Sequence, residues 1–224
     1  MRKYFSPAIL GLYQVVAPAL RAYAAGKLLD AGCGTMPFRK YLKPLIAEYH
    51  SLDIQKRVPE VEFVSDLENM QPVVAEDYDV VLCTEALEHT PHPQIVIREI
   101  WRILRPHGKI ILSVPYLSRL HEEPFDYYRF TEHGLRVLLS ENGFSVLQLK
   151  TTGSLFSFIG HQISTFIVGS VWHLPIIKYL AFFLNSILCT LPCFFFDKLP
   201  FLATKFPLGY VVVAEKTSAS LTLN

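Results

Sequence analysis

Apolar residues recur along this chain in two rhythms. Short runs that stay apolar on both faces predict strands: "KLLDAG", "YHSLDI", "VEFVSDL", "YDVVLCTEA", "GKIILSVPY" and "FSVLQLKT". Helical spacing between them predicts a lead-in helix over 7–25 and helices over 38–47, 93–104 and 132–141. All-apolar strands separated by helices belong to an α/β fold, with a parallel sheet covered on both faces. Such sheets bind ligands beyond the carboxyl ends of their strands, where the strand order reverses. Chemistry is therefore expected just after each strand.

The rhythm breaks near Lys150. From Thr151 to Ile177 no Asp, Glu, Lys or Arg occurs, and after Lys178 none occurs until Asp197. A last strand-like run, "GYVVVAEK", follows at 209–216. The chain thus divides into a helical lead-in (1–26), an α/β domain (27–150 with 209–216) and a hydrophobic helical insert (151–208).

Composition sharpens this division. Hydrophobic residues make up 51% of the 224 and charged residues 18%, against about 25% charged in ordinary soluble domains. The apolar surplus needs a place to go. A net charge of +1 supplies no footprint for nucleic acid. Cys33, Cys83, Cys189 and Cys193 form neither a CxxC pair nor a zinc spacing with histidine. They read as reduced thiols of a cytoplasmic chain, and no metal is expected. The basic N-terminus runs into a short apolar stretch broken by Pro7, which does not read as a signal peptide.

Candidate chemistry begins at "LLDAGCGTMPF". After a strand, Asp30, Gly32, Cys33 and Gly34 make a tight turn into a helix. The two glycines remove side chains where a ligand can lie on the backbone, and Asp30 sets a carboxylate beside that gap. The phosphate-binding pattern G-x-G-x-x-G is incomplete, because Pro37 stands where its third glycine would be. An acid there favours a positively charged ligand group. Asp53 ends the next strand, where a carboxylate can accept hydrogen bonds from ribose hydroxyls. Asp66 ends a third strand, and Glu85, Glu88 and His89 follow a fourth. Each acid alone also reads as a helix cap or a solvated loop residue. Acids at four consecutive strand ends, beside a glycine loop, point to one ligand site.

With "LLDAGCG", "SLDI", "SDLENM", "YDVVLCTEALEHTPHPQIVIREIWRILRPHGKIILSVPY", "ENGF" and "GYVVVAEK" in order, the chain resembles the class I S-adenosylmethionine-dependent methyltransferases, especially the small bacterial type-11 group. The resemblance implies a Rossmann-like, doubly wound seven-stranded sheet with an antiparallel last strand, and S-adenosyl-L-methionine as cofactor. It implies that Asp30 and the Gly32-Cys33-Gly34 loop line the methionine end. Asp53 would hold the ribose hydroxyls with Ile54 against the adenine. Asp66 would reach the adenine amino group with Leu67 beside it, and the Thr84–Glu85 backbone would close the cleft. The family's loop reads GxGxG, and here Met36 stands at the last glycine. The "GCGTMPF" form resembles a subgroup associated with polysaccharide or lipid-linked precursors.

Methyl transfer from a sulfonium is a direct displacement, so alignment of the acceptor matters most. An oxygen acceptor also needs its proton removed. The loop "PYLSRLHEEPFDYYRFT" follows the fifth strand and offers His121 as the base, with His89 as the second candidate. The alternative is that His121, Asp126 and Arg129 tie the loop together and that His89 is structural. The expected reaction is O-methylation of a sugar, a lipid-linked glycan precursor or another lipophilic metabolite. N- or C-methylation of a lipid or quinone-like acceptor, and a non-catalytic cofactor-binding scaffold, are the alternatives.

The insert has two readings. "TTGSLFSFIGHQISTFIVGSVWHLPII" and "YLAFFLNSILCTLPCFFF" are near the length that spans or enters a bilayer. One reading is a shallow or two-span hairpin, peripheral or monotopic on the inner face of the membrane, with Lys178 at its turn. The other is an apolar lid and homodimer interface.

Overall fold

The computed structural model of the protein describes residues 6–174, 177–197 and 205–217, so the basic start of the chain lies outside the described residues. The chain divides into two compact units. One comprises Ala17–Pro115, Leu120–Leu149 and Val211–Asn224; the other comprises Met1–Val16, Tyr116–Arg119 and Lys150–Tyr210.

Seven strands form one sheet: β1 (Lys27–Ala31), β2 (Glu48–Asp53), β3 (Phe63–Val64), β4 (Tyr78–Thr84), β5 (Leu104–Pro115), β6 (Phe144–Thr152) and β7 (Gly209–Lys216). Their order is β3-β2-β1-β4-β5-β7-β6. β1 pairs in parallel with β2 and β4, β2 with β3, and β4 with β5. β7 runs antiparallel between β5 and β6, as the family resemblance implies. The order reverses between β1 and β4, so the carboxyl ends of these strands flank the switch point.

The sheet core is built from the residues that made the strands readable. Leu28, Leu29, Val81, Leu82, Ile110, Ile111, Leu112 and Val211–Val213 have no exposed surface. α3 (Pro93–Ile103) opens with a proline in its first turn, where the missing N–H has no intrahelical partner to lose. It buries Val96, Ile97, Ile100 and Ile103, one stripe at helical spacing. α4 (Glu132–Glu141) is capped by Thr131, whose hydroxyl accepts from the Gly134 N–H at 3.1 Å.

Two elements are shorter than expected. The helix expected over 38–47 is the single turn α2 (Arg39–Leu42), because Pro44 has no N–H to continue it. The strand expected in "VEFVSDL" is only Phe63–Val64. The Ser65 hydroxyl donates to the Asn69 carbonyl at 2.6 Å and the Glu68 N–H donates to Asp66 at 2.8 Å. These local bonds take the backbone out of the sheet.

In the other unit, α1 (Pro7–Tyr23) contributes its first half. α5 (Leu155–Ser170) is followed by α6 (Ile177–Asn185), which runs through a π-helical stretch, Ser186–Thr190, into α7 (Leu191–Phe196). From Ser154 through α7 the buried residues are small or polar: Ser154, Ser157, Gly160, Ser164, Asn185, Thr190 and Cys193, while Val16, Leu208 and Tyr210 are the larger buried residues elsewhere in this unit. A Cβ at Gly160 would lie 2.3 Å from the Cys193 sulfur, so the helix backbones approach as closely as glycine permits. Asp197 accepts from the hydroxyls of Ser154 and Ser157. The large residues face outward, with Phe166 76%, Leu188 72% and Tyr179 69% exposed. Among the described residues no helix is long and apolar enough to cross a membrane.

Candidate functional site

All the strand-end and loop residues singled out above lie in the unit that contains Ala17–Pro115. β1 delivers Asp30 into a turn in which Gly32 (φ +73°) and Gly34 (φ +52°) are left-handed. The N–H groups of Gly32 and Cys33 donate to the Leu52 carbonyl at 2.8 and 3.1 Å, hooking the turn onto β2. A Cβ at Gly32 would lie 2.5 Å from that of Ala86 and 3.6 Å from Leu67, so the loops after β1, β3 and β4 meet there. A Cβ at Gly34 would meet nothing within 4 Å. One glycine is required by packing, and the other opens space.

Met36 is also left-handed (φ +54°), the conformation the resembled loop assigns to glycine. For a non-glycine residue this costs about 1–2 kcal/mol. Burial of its side chain against Cys33 and Val61 opposes that cost. The Cys33 side chain belongs to the same cluster, so it offers the cleft only its backbone, and burial pushes its thiol up to about 12.

Asp30 is buried and accepts a 2.6 Å hydrogen bond from the Tyr49 hydroxyl. Burial raises its carboxyl to about 7, with the Asp53 charge adding and the Tyr49 bond opposing. Asp53 is buried, and its two oxygens accept from the Gly34 N–H at 2.8 Å and the Gln55 N–H at 3.0 Å. Each oxygen retains a second lone pair. Ile54 beside it is 60% exposed. Asp66 is exposed and caps the Glu68 N–H, while Leu67 is buried. Thr84 ends β4, and Glu85 takes φ +49° with its N–H on the Ser113 carbonyl at 3.0 Å. The Ser113 hydroxyl donates to the Glu85 carboxylate at 2.9 Å, and burial raises that carboxyl to about 7.

The segment Leu120–Phe130 is tied by its own side chains. Arg129 grips Asp126 with two bonds of 2.5 and 2.6 Å, holding its carboxyl down at about 2. The His121 N–H donates to Asp126 at 2.8 Å. Further bonds seat this loop on the strand ends. The Tyr127 N–H reaches the Glu88 carbonyl at 2.9 Å, the Phe125 carbonyl lies 2.8 Å from His89 Nδ1, and Glu122 pairs with Arg57 at 3.2 Å.

That seating brings together three residues the chain keeps apart. Glu88 Oε1 lies 3.7 Å from His89 Nε2 and 3.8 Å from His121 Nε2. The two rings cross edge-to-face with centroids 4.8 Å apart. Glu88 is fully buried, neither carboxylate oxygen has a hydrogen-bond partner, and burial raises its carboxyl well above the usual range. Sequence spacing offered no metal-type cluster because the loop supplying His121 follows a different strand from the one supplying Glu88 and His89. The earlier signals were the place of Glu88 among the strand-end acids and the separate choice of His121 and His89 as candidate bases.

The family model described as "Methyltransferase domain" matches residues 9–149. A ubiquinone biosynthesis O-methyltransferase of Xanthomonas oryzae is 32% identical over 106 residues, covering 40% of this chain and 43% of that protein. One from Proteus mirabilis is 32% identical over 100 residues, covering 39% and 41%. The matches thus span less than half the length of these curated relatives. Among solved structures, a SAM-dependent methyltransferase from Archaeoglobus fulgidus is similar with a TM-score of 0.58 at 16% identity, covering 91% of this chain and 94% of that one. The [4+2]-cyclase SpnF has a TM-score of 0.61 at 16% identity, covering 93% and 81%. These two names denote different reactions on one fold, so the reaction has to be argued from the site.

Proposed function

The chain belongs to the methyltransferase domain family, whose fold here is that of the S-adenosylmethionine-dependent class, and from this premise we propose that it O-methylates a lipophilic, quinone-type acceptor. One observation carries the reading: an open glycine loop, two buried acids and a Glu–His–His cluster all follow the carboxyl ends of strands in the one sheet.

The residues present fit the cofactor. The space at Gly34 would be filled by any side chain, and the free lone pairs of Asp53 suit a ribose diol. Asp30, poised near neutrality, is held ionised by an approaching cation. We assign Asp30 and the Gly32–Gly34 backbone to the methionine end and Asp53 to the ribose. Ile54, Leu67 and Asp66 take the adenine, and Thr84–Glu85 the inner wall. S-adenosylmethionine supplies an electrophilic methyl on a sulfonium.

The acceptor's O–H bond breaks, with its proton lost at the Glu88–His89–His121 cluster. With the cofactor bound, an oxygen–methyl bond would form as the sulfur–methyl bond broke, and the sulfonium would leave as the neutral thioether S-adenosylhomocysteine. A cluster able to take up or promote release of a hydroxyl proton favours oxygen as the acceptor atom, because a hydroxyl needs deprotonation that many amines do not. The relatives' role in ubiquinone biosynthesis supports the lipophilic arm of the expectation over the sugar arm.

The insert supports the same choice. Small residues buried between helices and large apolar residues outside form the pattern of helices packed in lipid. We assign α5–α7 to a shallow membrane contact, peripheral or monotopic. Lys178 lies 5.6 Å from the centre of the Trp172 ring and 5.4 Å from that of Tyr179, a set suited to an interfacial turn. The test is S-adenosylhomocysteine release by the full-length protein with vesicles carrying a polyprenylated catechol. Release dependent on the catechol supports the reading, and none above the catechol-free control overturns it.

A further inference from the structure

We propose that Glu88, His89 and His121 form a binding site for a first-row divalent cation of the zinc type. Their three ligand atoms lie within 4.8 Å of one another, with the carboxylate oxygen opposite both Nε2 atoms. At 3.7 and 3.8 Å these separations are too long for hydrogen bonds. They are also short for a bridging water, which on 2.8 Å bonds holds its partners about 4.4 Å apart. Two ligands on one tetrahedral zinc ion sit about 3.4 Å apart, so each Glu88–histidine pair is within about 0.4 Å of closing on one.

The surroundings of the two rings suit a cation. The Phe125 carbonyl at 2.8 Å can only accept, so His89 carries its proton on Nδ1 and a lone pair on Nε2. The Asp126 carboxylate stands 3.3 Å from His121 Nδ1, on the side of the ring away from Glu88. A carbonyl or carboxylate behind each imidazole is how metal-binding histidines are oriented. Glu88 is the independent sign: a fully buried carboxylate with both oxygens lacking a hydrogen bond, within 3.8 Å of both imidazole Nε2 atoms. The charges agree, since Glu85, Glu88 and Asp126 share the field of one guanidinium, Arg129.

Two imidazoles and one carboxylate suit zinc, iron(II), cobalt or manganese better than magnesium or calcium, which prefer all-oxygen sets. Such a set leaves positions for water or a hydroxyl and acidifies what binds there. The cation's use rests on the O-methylation proposed above. With the cation bound, the histidines are ligands, and the acceptor hydroxyl loses its proton to water.

The test uses chelator-stripped full-length protein titrated with Zn²⁺ against a chromophoric chelator, with S-adenosylmethionine affinity measured on the same samples. One ion per chain is expected, weakened at least about tenfold by His89→Gln or His121→Gln, with cofactor affinity retained. On the unaltered protein, Zn²⁺ should shift the Nε2 resonances of His89 and His121, a readout that needs no variant. Absence of stoichiometric binding, binding unchanged in both variants, or shifts at other histidines only would overturn the site. Absence of S-adenosylmethionine binding in both the stripped and the Zn²⁺-loaded unaltered protein would instead overturn the cofactor reading.

Discussion

The sheet and the α5–α7 helices bury opposite kinds of side chain. Around the sheet, Leu28, Leu82 and Ile111 are inside and acids collect at the strand ends. In the helical unit Ser157, Ser164 and Thr190 are inside, while Phe166, Tyr179 and Leu188 are out. In water the first pattern gains about 25 cal/mol for each Å² of apolar surface removed, and the second forgoes that gain. Between lipid tails there is no such gain to forgo, and small residues earn their place by letting backbones approach. Hydrophobicity alone would class both segments as core. Which residues are buried is what separates a water-facing unit from one proposed to face lipid.

The largest effect should break the comparison at the helical unit. Phe166→Glu with Leu188→Glu places two charges on its outward face. Partition onto zwitterionic vesicles should fall on the order of 100-fold or more, given about 2.5–3.5 kcal/mol per buried charge. Cofactor affinity should hold. Unchanged flotation, or a detergent-free dimer of the unaltered protein that hides both residues, would return the insert to the lid and dimer reading.

Next comes the sheet unit. Asp53→Ala removes the acceptor for the Gly34 N–H and the proposed partner of the ribose. Calorimetry should show cofactor binding weakened about 10- to 100-fold, since charge-assisted bonds contribute roughly 1.5–3 kcal/mol each. Unchanged affinity in the folded variant would remove Asp53 from the site.

A smaller effect should follow pH. Asp30, raised to about 7, is largely protonated at pH 6 and ionised at pH 8. If its charge meets the cofactor's cation, affinity rises with pH through 7, about tenfold between pH 6 and 8. Tyr49→Phe removes the bond that lowers this carboxyl, so the midpoint should move upward. A flat profile would detach Asp30 from the cationic end.

The smallest effect is expected at Met36. Met36→Gly relieves a left-handed side chain but empties a buried position, for a net loss of about 1–2 kcal/mol. Thermal denaturation should drop by a few degrees while cofactor affinity changes little. A gain in stability would show that the buried cluster contributes less than the backbone strain.

These sites differ in how far the sequence revealed them. Asp30 and Asp53 were legible because strand ends in a parallel sheet fix where their carboxylates go. α2 and β3 were read too long because Pro44 and the Ser65 and Asp66 turn bonds overrode local propensity. The Glu88–His121 meeting was not legible, since only the seating of Phe125 and Tyr127 on the loop after β4 creates it. The insert's apolarity was plain, but its orientation was not. Ser157, Gly160 and Ser164 recur at helical spacing, a small-residue stripe that marked the buried face.

The most direct measurement is transfer of a labelled methyl from S-adenosylmethionine to a polyprenylated catechol held in vesicles with the full-length protein. The account predicts a labelled methyl ether in the lipid extract, formed with one S-adenosylhomocysteine per methyl and lost in Asp53→Ala. A vesicle-bound, cofactor-bound protein that labels no catechol would contradict it.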